Sequence, residues 1–435
     1  MGVARPSSQI EAVPPRLTWQ FVIRGPCVAL FAAASLAGCR APAAPRAGAP
    51  VPEQVEPVLV SPPDVRFDGS IRIASIFPTV GRYALSGQQS HNGARMAIAD
   101  INAAGGVHGR RLKLMEYRTG SYFVDARHAA LLAVEQGQAV AIIGSNASSL
   151  SEAIAGIADT RGVVQVSNVS TADDLTWDPV TGRDRPYVFR VCPSDVVMGL
   201  KLAEFARDDL HARRVAILYE VGRSYSAKLA RSFAAAFVDP ARGRVAAEFF
   251  YLPLETDFRN QLREVAAFRA DVLFLPGSFT DATLIADQAE RLGIRPTLLG
   301  GDAWSNRLLF KRGGPTRTAY HSDHCAPPAA FLERYRREFG AESDGCRAIL
   351  SYDAVQAVAA ALRAAPAPSD ADLTSGLAQT RDRARLALAA VSFEGIAGRI
   401  RFDEHGDVRR GVAMIAVEPG PAGPQRRVYG WLGAH

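Results

Sequence analysis

Hydroxyl and amide side chains crowd two short stretches of the chain, Gly144-Ser145-Asn146-Ala147-Ser148-Ser149 and Ser167-Asn168-Val169-Ser170-Thr171. A single acid, Asp302, follows two glycines much later. Hydroxyls and main-chain N–H groups hold a carboxylate, and a lone acid pairs with a cation, so the two loops read as half of a small-molecule site. Ser149 stands three residues before Glu152, a capping-box spacing that starts a helix. The free N–H groups and dipole of such a helix start favour an anion, with Ser148, Ser149, Ser170 and Thr171 adding donors. Asp302 would face a cation from a strand-end loop; its plainer reading is a solvated turn acid. Tyr225 at a helix start, Phe279 after a strand end and Trp304 suit either an apolar pocket wall or ordinary core.

No catalytic pattern accompanies these residues. G-x-S-x-G, the Walker A loop, H-E-x-x-H and a strand-linked G-x-G-x-x-G are all missing, which lowers the enzyme class without excluding it. His321-Ser-Asp-His-Cys325 matches no standard zinc spacing, so neither a metal nor a cofactor is expected. The formal charge of +6 is diffuse arginine with no dense basic block or aromatic-interleaved stripe. That argues against nucleic acid as a partner.

The elements that must carry the site alternate. The apolar run 139–143 reads as a buried strand ended by Gly144. A helix with Ile154, Ile157 and Ala158 inward follows, then a second strand over 163–166, so both polar loops lie at one sheet edge. Upstream come a strand at 71–76, the loop 77–87, and a helix bearing Ala94, Ala97, Ile98 and Ile101 that stops at Gly105-Gly106. A strand at 112–117 and a helix at 124–136 complete this half. After Phe189-Arg190-Val191 the pattern restarts, with helices at 195–208, 225–237, 258–268 and 281–292 and strands at 215–219, 245–251, 272–275 and 297–299. Repeated strand–helix units imply parallel sheets covered on both faces, with ligands at the strand C-termini. The last third offers helices at 331–339, 348–364 and 370–379 and strands at 400–402 and 412–417. These are too few strands for a third domain, so this part returns to complete the other two.

A chain of 435 residues, 48% hydrophobic, is long for one core and suggests two domains plus extras. Arg16 and Arg24 precede the apolar run 27–37, too short to span a bilayer and suited to an export signal over 1–38. Leu36-Ala37-Gly38-Cys39 is similar to a bacterial lipobox, with Cys39 as the lipidated residue. Arg40 after it leaves either membrane open. Residues 39–68, rich in Pro and Ala, read as a disordered tether. With Cys39 used, Cys325–Cys346 is the first disulfide to test, leaving Cys192 as a buried thiol.

A family resemblance joins these pieces. GARMAIADINAAGGVHGRRLKL (93–114), AIIGSNASSLSEAIA (141–155), YVFRVCPSD (187–195), YSAKLARSFAAAF (225–237), TDFRNQLREV (256–265), LPGSFTDATLIADQA (275–289), SYDAVQAVAAAL (351–362) and FEGIAGRIRFDEHGDV (393–408) occur in family order. The chain resembles the leucine/isoleucine/valine-type substrate-binding proteins of ABC transporters, which have the type 1 periplasmic-binding-protein fold. The resemblance implies an α/β fold of two Rossmann-like lobes with parallel central sheets, joined by a three-crossover hinge near 190, 320 and 410. Lobe 1 would take 69–190 plus 320–409, and lobe 2 would take 191–319 plus 410–435. It places the carboxylate loop on Asn146, Ala147 and Ser148 with Val169, Ser170 and Thr171. It also places a ligand tyrosine on Tyr225, the second-lobe wall on Ser278 and Phe279, and the ammonium-binding acid on Asp302. Where the family often has an aromatic this chain has Ser86, with Tyr83 near enough to substitute, and the segment from Asp302 to Phe331 is short. The implied protein is a periplasmic, lipid-anchored monomer without enzymatic activity. It would capture an amino acid or analogue for an ABC permease, or serve as a ligand-sensing lipoprotein with the same clamshell.

Overall fold

A computed structural model describes residues 66–311, 314–421 and 423–433. The export signal, Cys39 and nearly all of the tether lie outside these residues. The first strand, β1 (Ile71–Pro78), is wholly buried, and its side chains alternate between two packing layers. Ile71, Ile73 and Phe77 meet one layer, and Ala74 and Ile76 meet the other. The chain continues through α1 (Ala84–Ala103), β2 (Leu112–Thr119), α2 (Phe123–Glu135), β3 (Ala141–Ile143), α3 (Ser148–Arg161) and β4 (Val164–Ser167). A small hairpin, β5 (Trp177–Asp178) and β6 (Arg183–Asp184), precedes β7 (Val188–Arg190). These strands make a parallel sheet in the order β2-β1-β3-β4-β7.

A second set follows: α4 (Asp195–Asp208), β8 (Arg214–Glu220), α5 (Ser224–Phe237), β9 (Val245–Tyr251), α6 (Arg259–Phe268), β10 (Val272–Leu275), α7 (Phe279–Arg291), β11 (Thr297–Gly300) and β12 (Ala319–Asp323). Beyond it lie α8 (Ala329–Phe339), α9 (Arg347–Ala364), α10 (Leu377–Ala389), the hairpin β13 (Ser392–Gly395) and β14 (Gly398–Arg401), then β15 (Val412–Glu418) and β16 (Gln425–Leu432). The second sheet runs β16-β15-β12-β11-β10-β8-β9. It is parallel from β9 to β12 and antiparallel at β15 and β16.

The final third does rejoin the earlier sheets. Residues of α9, including Leu350, Val355 and Val358, share a core cluster with β1 and α1, while β15 and β16 extend the second sheet. Because β12 pairs with β11, the chain leaves the second sheet after Asp323, slightly later than the expected 320. The helix expected at 370–379 instead starts at Leu377. Ser369 and Asp372 exchange local hydrogen bonds that hold the preceding turn.

Three strands of backbone cross between the sheets, over 191–194, 324–328 and 402–411. Arg190, buried at the end of β7, ties the first to the third with Nε and Nη2 on Asp407 at 2.6 and 2.7 Å. Arg410 returns the tie through Val191 O at 2.8 Å. The second crossover carries the Cys325–Cys346 disulfide, and Cys192 is the free buried thiol.

Candidate functional site

The two polar loops end β3 and β4, neighbouring parallel strands, so sheet geometry alone brings them together. Ser151 Oγ receives Ser145 N–H at 2.7 Å and lies 2.7 Å from Ser170 Oγ, which also donates to Ser145 O at 3.0 Å. The Ser170 hydroxyl is therefore spent on holding the loops. Ser148 Oγ is buried and accepts from Ala172 N at 3.4 Å. Thr171 Oγ1 is buried without a partner among the described residues. Asn146 Nδ2 donates to Ser86 Oγ at 2.6 Å, so Ser86 is bound to the first loop. Ala147 and Val169 flank these groups, Val169 being buried.

The capping-box reading of Ser149 and Glu152 does not hold. The helix starts at Ser148 with Ala147 as its N-cap and no side-chain cap. Glu152 turns to the other lobe, where its Oε1 accepts from Ser224 Oγ at 2.6 Å and Lys228 Nζ at 3.1 Å. Lys228 also pairs with Asp174. Tyr83 points the same way and accepts from Arg223 Nη1 at 2.7 Å. Arg82 reaches Glu220 at 3.4 Å and Asp281 at 3.9 Å. The described lobes thus meet through polar bridges.

On the second lobe, Asp302 is 9% exposed, which rules out the solvated-turn reading. Its Oδ2 lies 3.1 Å from His324 Nε2, and its Oδ1 has no partner among the described residues. Burial pushes the Asp302 carboxyl up, but His324, the Tyr225 hydroxyl and Arg347 together hold it below its ordinary value. Tyr225 Oη also accepts from Ala303 N at 3.4 Å. The two glycines before Asp302 make room for this packing. A Cβ at Gly301 would sit 2.2 Å from Tyr225 Oη, and one at Gly300 would sit 2.2 Å from the Trp304 ring. Trp304 is fully buried core.

Ser278 is occupied as the N-cap of α7, accepting from Asp281 N and donating to Asp281 Oδ2 at 2.8 Å. Phe279 is half-buried against the second-lobe core. Sequence reading missed His324, Arg82, Glu152, Lys228 and Arg223. The capping-box spacing marked Glu152 and the His321–Cys325 run marked His324, and neither signal pointed to the right partner. A groove of about 810 Å3 lies elsewhere, beside β7 and β14, and none of the expected site residues lines it.

The family model described as periplasmic binding protein matches residues 70–422. An amino acid binding protein of Pseudomonas aeruginosa is 25% identical over 347 residues, covering 76% of this chain and 86% of that protein. The leucine binding protein LivK of Thermotoga maritima superposes with a TM-score of 0.71 at 27% identity, covering 83% of this chain and 99% of that one. A solute binding protein of R. palustris, solved in complex with benzoate, shares the fold at a TM-score of 0.69 and 16% identity, covering 84% of this chain and 98% of that one.

Proposed function

The chain belongs to the periplasmic binding protein family, and from that premise we propose that it captures an amino acid or a related small carboxylate or amide between two closing lobes for an ABC importer. Lobe 1 comprises 69–190 with the stretch from the second crossover to 409, and lobe 2 comprises the remainder to 435. The loop of Asn146, Ala147 and Ser148, with Val169 and Thr171, holds the carboxylate through N–H and hydroxyl donors. Asp302 holds the ammonium. Tyr225, Ser278 and Phe279 bound the side-chain pocket from lobe 2, and Tyr83 and Ser86 bound it from lobe 1. The protein carries out no reaction of its own. Export to the periplasm, a lipid on Cys39 and docking of the closed form on a permease complete the reading.

The observation that carries it is Asp302: a buried acid with one oxygen engaged by His324 and the other unmatched. A ligand touching both lobes prefers the closed form, which is how binding shifts the hinge equilibrium. Calorimetry of the mature chain against L-leucine and 4-methylpentanoate tests the acid's role. Asp302→Asn should weaken leucine about ten- to hundredfold and leave 4-methylpentanoate nearly unchanged. Equal losses for both would remove Asp302 from ammonium recognition.

A further inference from the structure

The groove of about 810 Å3 beside β7 and β14 is lined by five arginines, Arg185, Arg385, Arg399, Arg401 and Arg409, against three acids. They come from distant parts of the chain, so no basic block announces them. The acids are largely engaged within the protein. Asp184 Oδ1 lies 3.0 Å from His405 Nδ1, and Asp403 Oδ1 accepts from the N–H groups of His405 and Asp407 at 3.0 Å each. Glu404 lies 3.9 Å from His405 Nε2. Two of the arginines are engaged as well. Arg185 donates to the carbonyls of Asp174, Leu175 and Trp177, and Arg385 pairs with Asp382 at 2.9 Å over the Tyr187 ring. The other three are not. Arg401 has no hydrogen-bond or ion-pair partner among the described residues. Within the same residues Arg399 reaches only Ser392 Oγ, at 3.5 Å, and Arg409 only Asp403, at 3.9 Å. Glu394 stands opposite Arg399 in the hairpin register but makes no ion pair with it there. Ile400 is buried between Arg399 and Arg401, so these two project from the exposed face of β14, about 7 Å apart along the strand.

Like charges gathered in one groove without partners repel one another, and a multivalent anion removes that cost. Guanidinium forks match carboxylate and phosphate oxygens two at a time. The groove is larger than a single phosphate needs, and the spacing of Arg399 and Arg401 suits two anionic groups carried on one molecule. Its floor is packed, with Phe189 and Phe402 buried and edge-on at 5.1 Å between ring centres. Its crossover wall is held as well, since Gly406 O accepts from Arg190 N at 3.0 Å while the Arg190 guanidinium grips Asp407. The arginines therefore stand on a preformed scaffold, which lowers the cost of ordering a ligand. We propose that this groove is a second ligand site, which takes a small multivalent anion, a polycarboxylate or polyphosphate, on Arg399, Arg401 and Arg409. Its concave shape favours a free solute over a membrane, because a flat bilayer meets only the rim. None of the expected cleft residues takes part, so the site stands apart from solute capture between the lobes.

Calorimetry on the mature chain at low ionic strength tests this with inorganic pyrophosphate and citrate as probes. At least one should bind one to one with a sub-millimolar dissociation constant. Arg399→Gln combined with Arg401→Gln should weaken it about tenfold or more, since charge-assisted hydrogen bonds are lost. Arg401→Lys alone should lose less, because it keeps the charge and gives up only the fork. Both side chains are exposed, so these variants keep the fold. Arg259→Gln combined with Arg291→Gln removes the same charge from exposed positions outside the groove, and should change binding by less than about twofold. Equal losses in the two double variants would mean diffuse attraction to a basic protein and would overturn the site. Failure of both anions to bind overturns it too, as does capture by phosphatidylglycerol vesicles when neither free anion binds.

Discussion

His91 sits inside α1 with no exposure, its Nδ1 3.0 Å from Ser75 Oγ and its ring edge-on to Phe77. Burial pushes its pKa down to about 4. An unfolded histidine takes up its proton near pH 6.5, while the native one resists until about 4. The unfolded state thus binds more protons in this window, and stability falls as pH drops through it, by about 3 kcal/mol at most; above it the contribution is flat. Asp195, Asp323 and Glu152 act in the opposite sense, since burial raises their carboxyls. The difference between wild type and His91→Gln isolates the histidine. Urea unfolding should show the wild-type advantage shrinking from pH 6.5 towards pH 4, and parallel pH curves would contradict this. At this scale the sequence exposed Asp302, because two glycines before an acid at a strand end are conspicuous. It hid His324, which lies beyond another strand and read as a loop histidine. Asp195 read as no more than a helix start, since burial of a carboxylate leaves no mark in local spacing.

Helices α1 and α9 cross at Gly93, where a Cβ would lie 1.9 Å from Ala348 O. Gly93→Ala should destabilise by about 1–3 kcal/mol through overpacking, despite the better helix propensity of alanine. Gly156 in α3 is exposed with nothing near its would-be Cβ, so Gly156→Ala should stabilise by about 0.5–1 kcal/mol. Thermal unfolding of the two variants should therefore show shifts of opposite sign, and a shared sign would defeat the contact argument. The same crossing explains which elements the sequence revealed. Small residues and apolar runs, as in 93–114 and 139–166, give away strands and helices buried on a sheet. The helix Leu377–Ala389 stayed hidden because its buried face includes Arg381, whose Nε and Nη2 hold Ala139 O and Val134 O at 2.8 and 3.1 Å. A guanidinium used to satisfy backbone carbonyls looks like a surface charge in sequence. The edge strand Gln425–Leu432, largely exposed and carrying Arg426 and Arg427, escaped for a related reason.

Across the molecule, the bridges between lobes decide how readily the clamshell closes. Glu152 and Asp174 on the first lobe share Lys228 of the second, with side chains 22–28% exposed. Burial raises the Glu152 carboxyl and the nearby Lys228 charge opposes it. Such half-exposed pairs contribute about 0.2–1 kcal/mol each, enough to change an open–closed balance severalfold without touching ligand. Lys228→Met should weaken L-leucine about two- to fivefold at low ionic strength and leave a more extended unliganded particle by small-angle scattering. Pairing it with Glu152→Gln should recover part of the loss, since the second change removes a carboxylate left without its cation. High salt should bring wild type and variant together, because screening removes what the substitution removes. A salt-independent loss would instead place Lys228 against the ligand, and no loss at all would mean that apolar packing and the solute alone hold the lobes shut.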